Sequence, residues 1–456
     1  MVSDEREKVE LEEESLLAAL SSQNMDEFRE IFLEQHPYDQ AKLFVKLEEE
    51  DRNTVYKYLS PEEMAAVFEN IEDDDDQYEM FLSEMDPTFA AHMLGQMYAD
   101  DAVDVLNELD KDQVASYLTI MDDEAAEEIR ELLHYEEYTA GSIMTTEYIS
   151  IHANQTLHSA MQILKNEAPN AETIYYIYVI DEDKKLAGVI SLRDLIINEP
   201  DTMISEVMNE RVYTVSVAED QEEVARKMKD YNFLALPVID FRGHLLGIIT
   251  VDDIVDVIDE EASDDYSKLA AISDVDSNDR GPFSAAKKRL PWLIILLFLG
   301  MFTASLIGRF EETLDKVAIL AVFIPLIAGM AGNTGTQALA VAVRRIAVGD
   351  AQEQSTFKMV LREAGTGLIT GTICGIVVTL VVFVWQGDIF LGILVGISIL
   401  ATLTVATIAG AFIPLIMHRL KVDPAVASGP FITTINDIIS ILIYFGMATL
   451  FMQYLI

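Results

Sequence analysis

From residue 290 onward the chain is a succession of long stretches without a charged side chain. They lie at 290–308, 317–343, 364–387, 389–417 and 424–436, and the last resumes after a single aspartate, Asp437, to run on to 456. Each complete stretch is about long enough to cross a ~30 Å hydrocarbon core as a helix rising ~1.5 Å per residue. Inside hydrocarbon the backbone must satisfy its own hydrogen bonds, so helices are the economical solution and five transmembrane helices are expected. An odd number excludes an internal inverted repeat of equal halves, so a symmetric pathway has to come from two chains.

The flanking charges give the expected orientation. Lys287, Lys288 and Arg289 precede the first stretch, Arg344, Arg345, Lys358 and Arg362 lie between the second and third, and Arg419 and Lys421 follow the fourth. The opposite side has only Arg309 and Lys316. Positive charge is retained on the cytoplasmic side, which places everything before residue 290 in the cytosol and the C-terminus outside. The opening "MVSDEREKVELEEE" is acidic and has no apolar core, so it does not read as a signal peptide.

Asp437 sits where a charge costs on the order of 2.5–3.5 kcal/mol. No Lys or Arg lies at similar depth to neutralise it. Around it, Thr433, Thr434 and Asn436 offer oxygen ligands, which suit hard cations such as Mg²⁺ or Ca²⁺ rather than Zn²⁺ or Cu²⁺. The second stretch, "FIPLIAGMAGNTGTQALAVAVRR", contains Pro325, Gly329, Gly332, Asn333, Gly335 and Gln337. Proline and clustered glycine predict a broken helix lining a cavity, the alternative being close packing through small residues. Pro414, Pro424 and Pro430 suggest further kinks.

The first 289 residues are of another kind, with 69 acidic against 23 basic side chains. Such a surface repels nucleic acid and attracts cations. Cys374, the only cysteine, falls in an apolar stretch, which leaves no disulfide framework and no cysteine metal site. Residues 1–137 read as helices alone. "LEEEDRNTVYKY" (47–58), "LSPEEMAAVFEN" (59–70), "MDPTFAAHMLGQ" (85–96), "MYADDAVDVLNE" (97–108), "LDKDQVASYLTI" (109–120) and "MDDEAAEEIREL" (121–132) share a 12-residue frame. Each opens with Leu or Met, then a turn or capping residue, then an apolar stripe at helical spacing, the pattern of an all-α superhelical solenoid. "EDDDD" at 72–76 is its densest acidic run.

A two-fold repeat follows. Met144 pairs with Met208, Gly188 with Gly247 and Asp194 with Asp253, each unit ending in a strand that enters a helix through Ser/Thr-x-x-Asp. The chain thus divides into an acidic helical domain (1–137), two α/β units (138–200 and 201–262), a linker helix (263–289) and an all-α membrane domain (290–456).

Paired units of this form resemble CBS domains, in which the Ser/Thr and Asp of the strand-to-helix step often hold an adenosine ribose and phosphates. The resemblance implies Ser191, Asp194, Thr250 and Asp253 as nucleotide-binding candidates, with Tyr175, Phe233 and Pro237 flanking a base; ATP or another adenine nucleotide is the expected ligand. The whole order, acidic solenoid, CBS pair, linker and five spans, resembles the MgtE family of Mg²⁺ channels, most specifically in "GNTGTQ" and "PFITTIND". The resemblance implies a homodimer in the plasma membrane that takes up Mg²⁺, with Asp437 lining the pore; Thr433, Thr434, Asn333 and Gly332 complete the expected ion site. Relatives often carry Asn where this chain has Thr336. The resemblance further implies gating by linker ("plug") helices, here expected around Ala285–Arg289, and by cytosolic Mg²⁺ bound at Asp253, Asp256, Glu261, Asp264 and Asp265. Charge density adds Asp100, Asp101, Asp104, Asp220 and Glu222 to that sensor, and Asn232 stands where relatives can carry an acid. A CBS-regulated carrier coupling Na⁺ or H⁺ to divalent export is the alternative. An enzyme is not expected, because the seven histidines avoid the apolar stretches and none has metalloprotease spacing.

Overall fold

The computed structural model describes residues 15–71, 77–272, 282–347, 356–423 and 427–455. The acidic run at 72–76, the 273–281 part of the expected linker, and Pro424 lie outside the described residues. The chain divides into two compact units, Met1–Asp259 and Glu260–Ile456.

The first unit begins with helices α1 (residues 15–21), α2 (Met25–Leu33), α3 (Pro37–Lys46), α4 (Glu49–Tyr58), α5 (Pro61–Phe68), α6 (Gln77–Glu84), α7 (Pro87–Leu94), α8 (Ala99–Asn107), α9 (Lys111–Ile120) and α10 (Asp123–Leu132). Alternate helices pack on one another, α3 on α5, α5 on α7, α7 on α9 and α8 on α10, as a solenoid requires. The residues that open the 12-residue units, Leu47, Leu59, Met85, Met97, Leu109 and Met121, are all buried between helices. The following residue starts the next helix. Ser60 and Glu63 form a reciprocal capping box, as do Asp110 and Gln113. Asp86 accepts from the backbone N–H groups of Thr88 and Phe89. Pro37, Pro61 and Pro87 sit in first turns, where a missing N–H costs nothing.

The repeat folds as two three-stranded sheets of the same topology. In the first, β1 (Ser150–His152) runs parallel to β2 (Tyr176–Ile180), which pairs antiparallel with β3 (Leu186–Ser191). In the second, β4 (Val215–Ser216) runs parallel to β5 (Ala235–Ile239), which pairs antiparallel with β6 (Leu245–Thr250). Both carry an irregularity at the same place, Val179/Ile180 and Val238/Ile239. Helices α11 (Leu157–Glu167), α12 (Leu192–Ile197), α13 (Ile204–Val207) and α14 (Gln221–Tyr231) cover the sheets. The repeats interlock. Met208 lies against Gly188 and Met144 against Gly247, where a Cβ would come within about 3 Å of either sulfur. Thr145 bridges to Ile248 and Asn209 to Val189. Asn232 caps α14 in the left-handed region (φ 54°), which Asn tolerates better than most residues.

β6 leads into α15 (Val251–Leu269), whose last ten residues belong to the second unit. Then come α16 (Pro282–Gly308), α17 (Glu311–Lys316), a 3₁₀ segment (Ala318–Phe323), α18 (Ile324–Ala347), α19 (Thr356–Gln386), α20 (Ile389–Arg419) and α21 (Gly429–Leu450). Among the described residues five segments are long and apolar enough to cross a membrane: Ala285–Gly308, Ala318–Ile346, Phe357–Gln386, Ile389–Arg419 and Gly429–Leu450.

Two expectations are corrected here. Ala285–Arg289 are not a separate linker helix, because α16 runs unbroken from Pro282 through Gly308. The helix that reaches the ends of the spans is α15: Leu269 packs with Leu339, Val343, Ile413, Met417, Ala427 and Ile432. Nor is the second span broken at Pro325. That proline lies in the first turn of α18, and the glycine-rich stretch after it is continuous helix; the change of helix type lies upstream, in the 3₁₀ segment. Pro414 likewise lies inside a continuous α20.

Glycines set the tight contacts of the second unit. α19 and α20 form a hairpin whose turn needs Gly387 at φ +73°, with Asp388 capping the second helix through the N–H groups of Phe390 and Leu391. Gly367, Gly371 and Gly375 of α19 lie against Thr404, Leu400 and Gly396 of α20 so closely that a Cβ would strike backbone. Close approach through small residues is what holds helices together in lipid, where apolar burial between helices gains little.

Candidate functional site

α21 begins at Ser428, its N-cap, with Pro430 in the first turn. The Thr433 hydroxyl donates back to Gly429 O (2.9 Å) and that of Thr434 to Pro430 O (2.9 Å), the usual way a membrane helix accommodates threonine. Thr433 also faces α18: its Oγ1 lies 3.3 Å from Oγ1 of Thr336, and a Cβ on Gly332 would come 2.7 Å from its Cγ2. The structure therefore brings Gly332, Thr336 and Thr433 together. One turn further on, Asp437 is half-buried. Its backbone carbonyl accepts from Ser440 Oγ (2.8 Å), while among the described residues its carboxylate has no basic partner. Asn333 and Gln337 are exposed on α18. Amides in a membrane span that face outward need a polar partner or a watery path.

In the first unit the carboxylates gather around the start of α8. Glu69 accepts from Tyr98 N (3.0 Å), and Glu147 from Ala99 N (3.1 Å) and Thr145 Oγ1 (2.5 Å). Both are drawn to the positive end of the helix. Asp100 and Asp101 are in its first turn; Asp253 lies close enough to raise both, and Glu172 raises Asp101. Burial, then the neighbouring carboxylates, pushes Asp101 up to about 8 and Glu172 up to about 7. Burial also raises Asp100, Glu69 and Asp253. Asp100 Oδ1 is buried and among the described residues has no hydrogen-bond partner. Among the described residues no three His, Cys, Asp or Glu side chains converge to ligating distances. Of the expected sensor residues, Asp104 is exposed, and Asp220 instead caps α14 by accepting from Glu222 N and Glu223 N. Glu222 lies in that same first turn, and Asp256 further along α15. Glu261, Asp264 and Asp265 lie on the part of α15 that belongs to the second unit. There Asp264 pairs with Lys268, which also reaches Asp423 (2.5 Å). Burial and then Asp423 raise Asp265. Glu69, Glu147 and Glu172 were invisible to the sequence reading, being isolated acids far apart along the chain.

The Ser/Thr-x-x-Asp steps serve first as helix caps. Ser191 Oγ and Thr250 Oγ1 each donate to Oδ2 of the aspartate three positions on, both at 2.5 Å. Tyr175, Tyr176, Ser191, Leu192, Arg193, Ile196, Ile197 and Leu234 line an open cavity of about 500 Å³, a size suited to a small-molecule ligand. Tyr175 and Ser191 of the expected nucleotide set are thus on its wall. Phe233 instead joins Tyr213 and Tyr231 in an aromatic cluster, with ring centroids 5.6–5.7 Å away. Pro237 is within β5, and Thr250 and Asp253 lie towards the acidic cluster.

Residues 35–138 match the model of the MgtE intracellular N domain, 140–199 and 204–260 the CBS domain, and 324–447 the MgtE divalent cation transporter. The magnesium transporter MgtE of Enterococcus faecalis is 54% identical over 441 residues, covering 97% of each chain.

The chain belongs to the MgtE family of magnesium transporters.

It is therefore a membrane-embedded transport protein and not an enzyme. The crystal structure of the soluble part of a magnesium transporter is 56% identical with a TM-score of 0.54, covering 56% of this chain and 99% of that one. The cytosolic domain of the Mg²⁺ channel MgtE, solved in complex with ATP, is 39% identical with a TM-score of 0.51, covering 54% of this chain and 99% of that one. The solenoid, the CBS pair and the five apolar helices agree with the fold expected from sequence.

Proposed function

We propose that two copies of this chain form a Mg²⁺ channel for uptake across the plasma membrane, with the first unit cytosolic and the C-terminus outside. The observation that carries the pathway is Asp437: an acid deep within an apolar span, half-buried, and without a basic partner among the described residues. Two such carboxylates about a two-fold axis supply about −2, the charge of one divalent ion. Mg²⁺ sheds water reluctantly, so a hydrated ion held by Asp437, the Thr433 and Thr434 hydroxyls, Asn333 and the Gly332 backbone fits the donor set. The nine-to-two asymmetry of flanking Lys and Arg supports the orientation.

Cytosolic Mg²⁺ closes this channel by neutralising the acids that now repel one another, Asp100, Asp101 and Asp253 together with Glu69, Glu147 and Glu172. Asp256, Glu261, Asp264 and Asp265 along α15 extend the sensor. Ions that bind the compact form better than the spread one shift the balance between them. An adenine nucleotide modulates the response from the Tyr175–Ser191 cavity; a relative's cytosolic domain holds ATP.

Mg²⁺ flux into proteoliposomes containing the full chain tests the reading. Asp437→Asn keeps the side chain's shape and removes its charge, and is expected to admit monovalent ions and lose divalent preference; unaltered divalent flux refutes Asp437 as the selectivity carboxylate. Flux that follows the Mg²⁺ gradient alone, without Na⁺ or H⁺, separates a channel from a coupled carrier.

A further inference from the structure

Asn436 precedes Asp437 on α21, about 100° away around the helix. It is 1% exposed, and among the described residues neither Nδ2 nor Oδ1 has a hydrogen-bond partner. An amide left unpaired in apolar surroundings is costly, and an apolar side chain of similar size fills the space without that cost. The amide lies directly against α18, where a Cβ on Gly335 would collide with Asn436 Nδ2. This contact leaves no room for a bridging water on that side. On the opposing face of α18, Gly332 lies under Thr433 one turn away, and Thr336, which follows Gly335, meets the Thr433 hydroxyl. Gly332 and Gly335 themselves present no Cβ to α21.

We propose that Asn436 is a second ion-contacting residue of the pathway. It is withdrawn in the conformation described here and presented when α21 turns on the Gly332–Gly335 face of α18. A turn of about half the ~100° between adjacent positions brings Asn436 and Asp437 to the same side. There the amide oxygen accepts hydrogen bonds from the water shell of a divalent cation while the carboxylate supplies charge. The inference rests on Asp437 being the pathway carboxylate.

Cys374 is the only cysteine, so Asn436→Cys in a Cys374→Ala background reports on this position alone. The full chain in proteoliposomes is treated with a cationic methanethiosulfonate, with millimolar Mg²⁺ on the side of the first unit and after chelation. Modification at least tenfold faster after chelation is expected. Equal rates in the two conditions, or no modification in either, overturn the proposal. Asn436→Leu provides a readout that does not depend on labelling: it fills the buried position without the unpaired amide and is expected to lower maximal Mg²⁺ flux several-fold. Wild-type flux with wild-type Mg²⁺ dependence overturns the proposal independently. Asp437→Asn is measured in parallel. If it leaves divalent flux unaltered, the pathway reading fails and this inference with it; if it loses divalent preference while Asn436→Cys labels equally in both conditions, only the Asn436 proposal fails.

Discussion

Lys268, four residues after Asp264 on α15, reaches Asp423 in the segment between α20 and α21, with Nζ 2.5 Å from Oδ2. The ion pair joins the helix leaving the CBS pair to the residues just before the helix that carries Asp437. Both side chains are about one-third exposed, so the pair is worth about 0.2–1 kcal/mol. That corresponds to a factor of roughly 1.4–5 in an equilibrium between closed and open forms. Lys268→Met and Asp423→Asn are each expected to raise the cytosolic Mg²⁺ needed for half-closure by that factor. The double substitution should do little more than either alone, because the partners share one interaction. Additive shifts contradict the coupling.

Without divalent ions, the first unit should be more stable at pH 6 than at pH 8. Asp101 at about 8 and Glu172 at about 7 hold protons in the folded form that the unfolded chain releases near the usual carboxylate range of about 4. Where the folded form binds more protons, stability falls as pH rises. The loss therefore accumulates between about pH 4 and pH 8. The soluble segment alone, known as a solved structure in a relative, should melt several degrees lower at pH 8 than at pH 6, and Mg²⁺ should restore the difference at pH 8. A melting temperature that is flat or rises over this window contradicts the cluster's raised acidities.

Capping and nucleotide binding can be separated by a matched pair of substitutions. Ser191→Ala and Thr250→Ala each remove a hydroxyl that bonds a helix-entry aspartate, at a cost of about 0.5–2 kcal/mol in stability. Only Ser191 lines the 500 Å³ cavity. Calorimetry with ATP should show weakened binding for Ser191→Ala and for Tyr175→Ala, with near-normal binding for Thr250→Ala. Loss in Thr250→Ala alone relocates the site.

The glycine contacts of the second unit differ in what surrounds them. At Gly410 a Cβ would run into the backbone of Gly335, which cannot step aside. At Gly429 the nearest atoms are 3.4–3.5 Å away. Gly410→Ala should therefore destabilise the detergent-solubilised protein by about 1–3 kcal/mol through overpacking, while Gly429→Ala changes its melting temperature little. Equal effects contradict the packing described.

The solenoid was legible because Leu or Met recurs at one structural position, twelve residues apart within 47–70 and again within 85–132, each buried between helices. The CBS repeat was legible from the Gly188–Gly247 correspondence. Its interlocking was not, since spacing cannot say that Met144 rests on the glycine of the other unit. Asp437 stood out because nothing around it is charged. The acidic cluster was only half visible. A surplus of acids hides those that matter, and only folding places Glu69 and Glu172 beside Asp101 and Glu147 beside Asp100 while assigning Asp220 to a helix cap. Pro325 misled because proline interrupts helix interiors and also opens first turns, and the chain alone does not mark which applies.

The close contacts of Gly367, Gly371 and Gly375 of α19 with α20 all fall within residues 356–419, and the hairpin closes on its own capped turn at Gly387 and Asp388. Nothing later in the chain is needed for that pairing. During synthesis the two helices can leave the translocon together and find each other while α21 is still in the ribosome. Bulk introduced at Gly375 or Gly396 should therefore appear first as chain cleared by quality-control proteases, before any change in the behaviour of the molecules that survive.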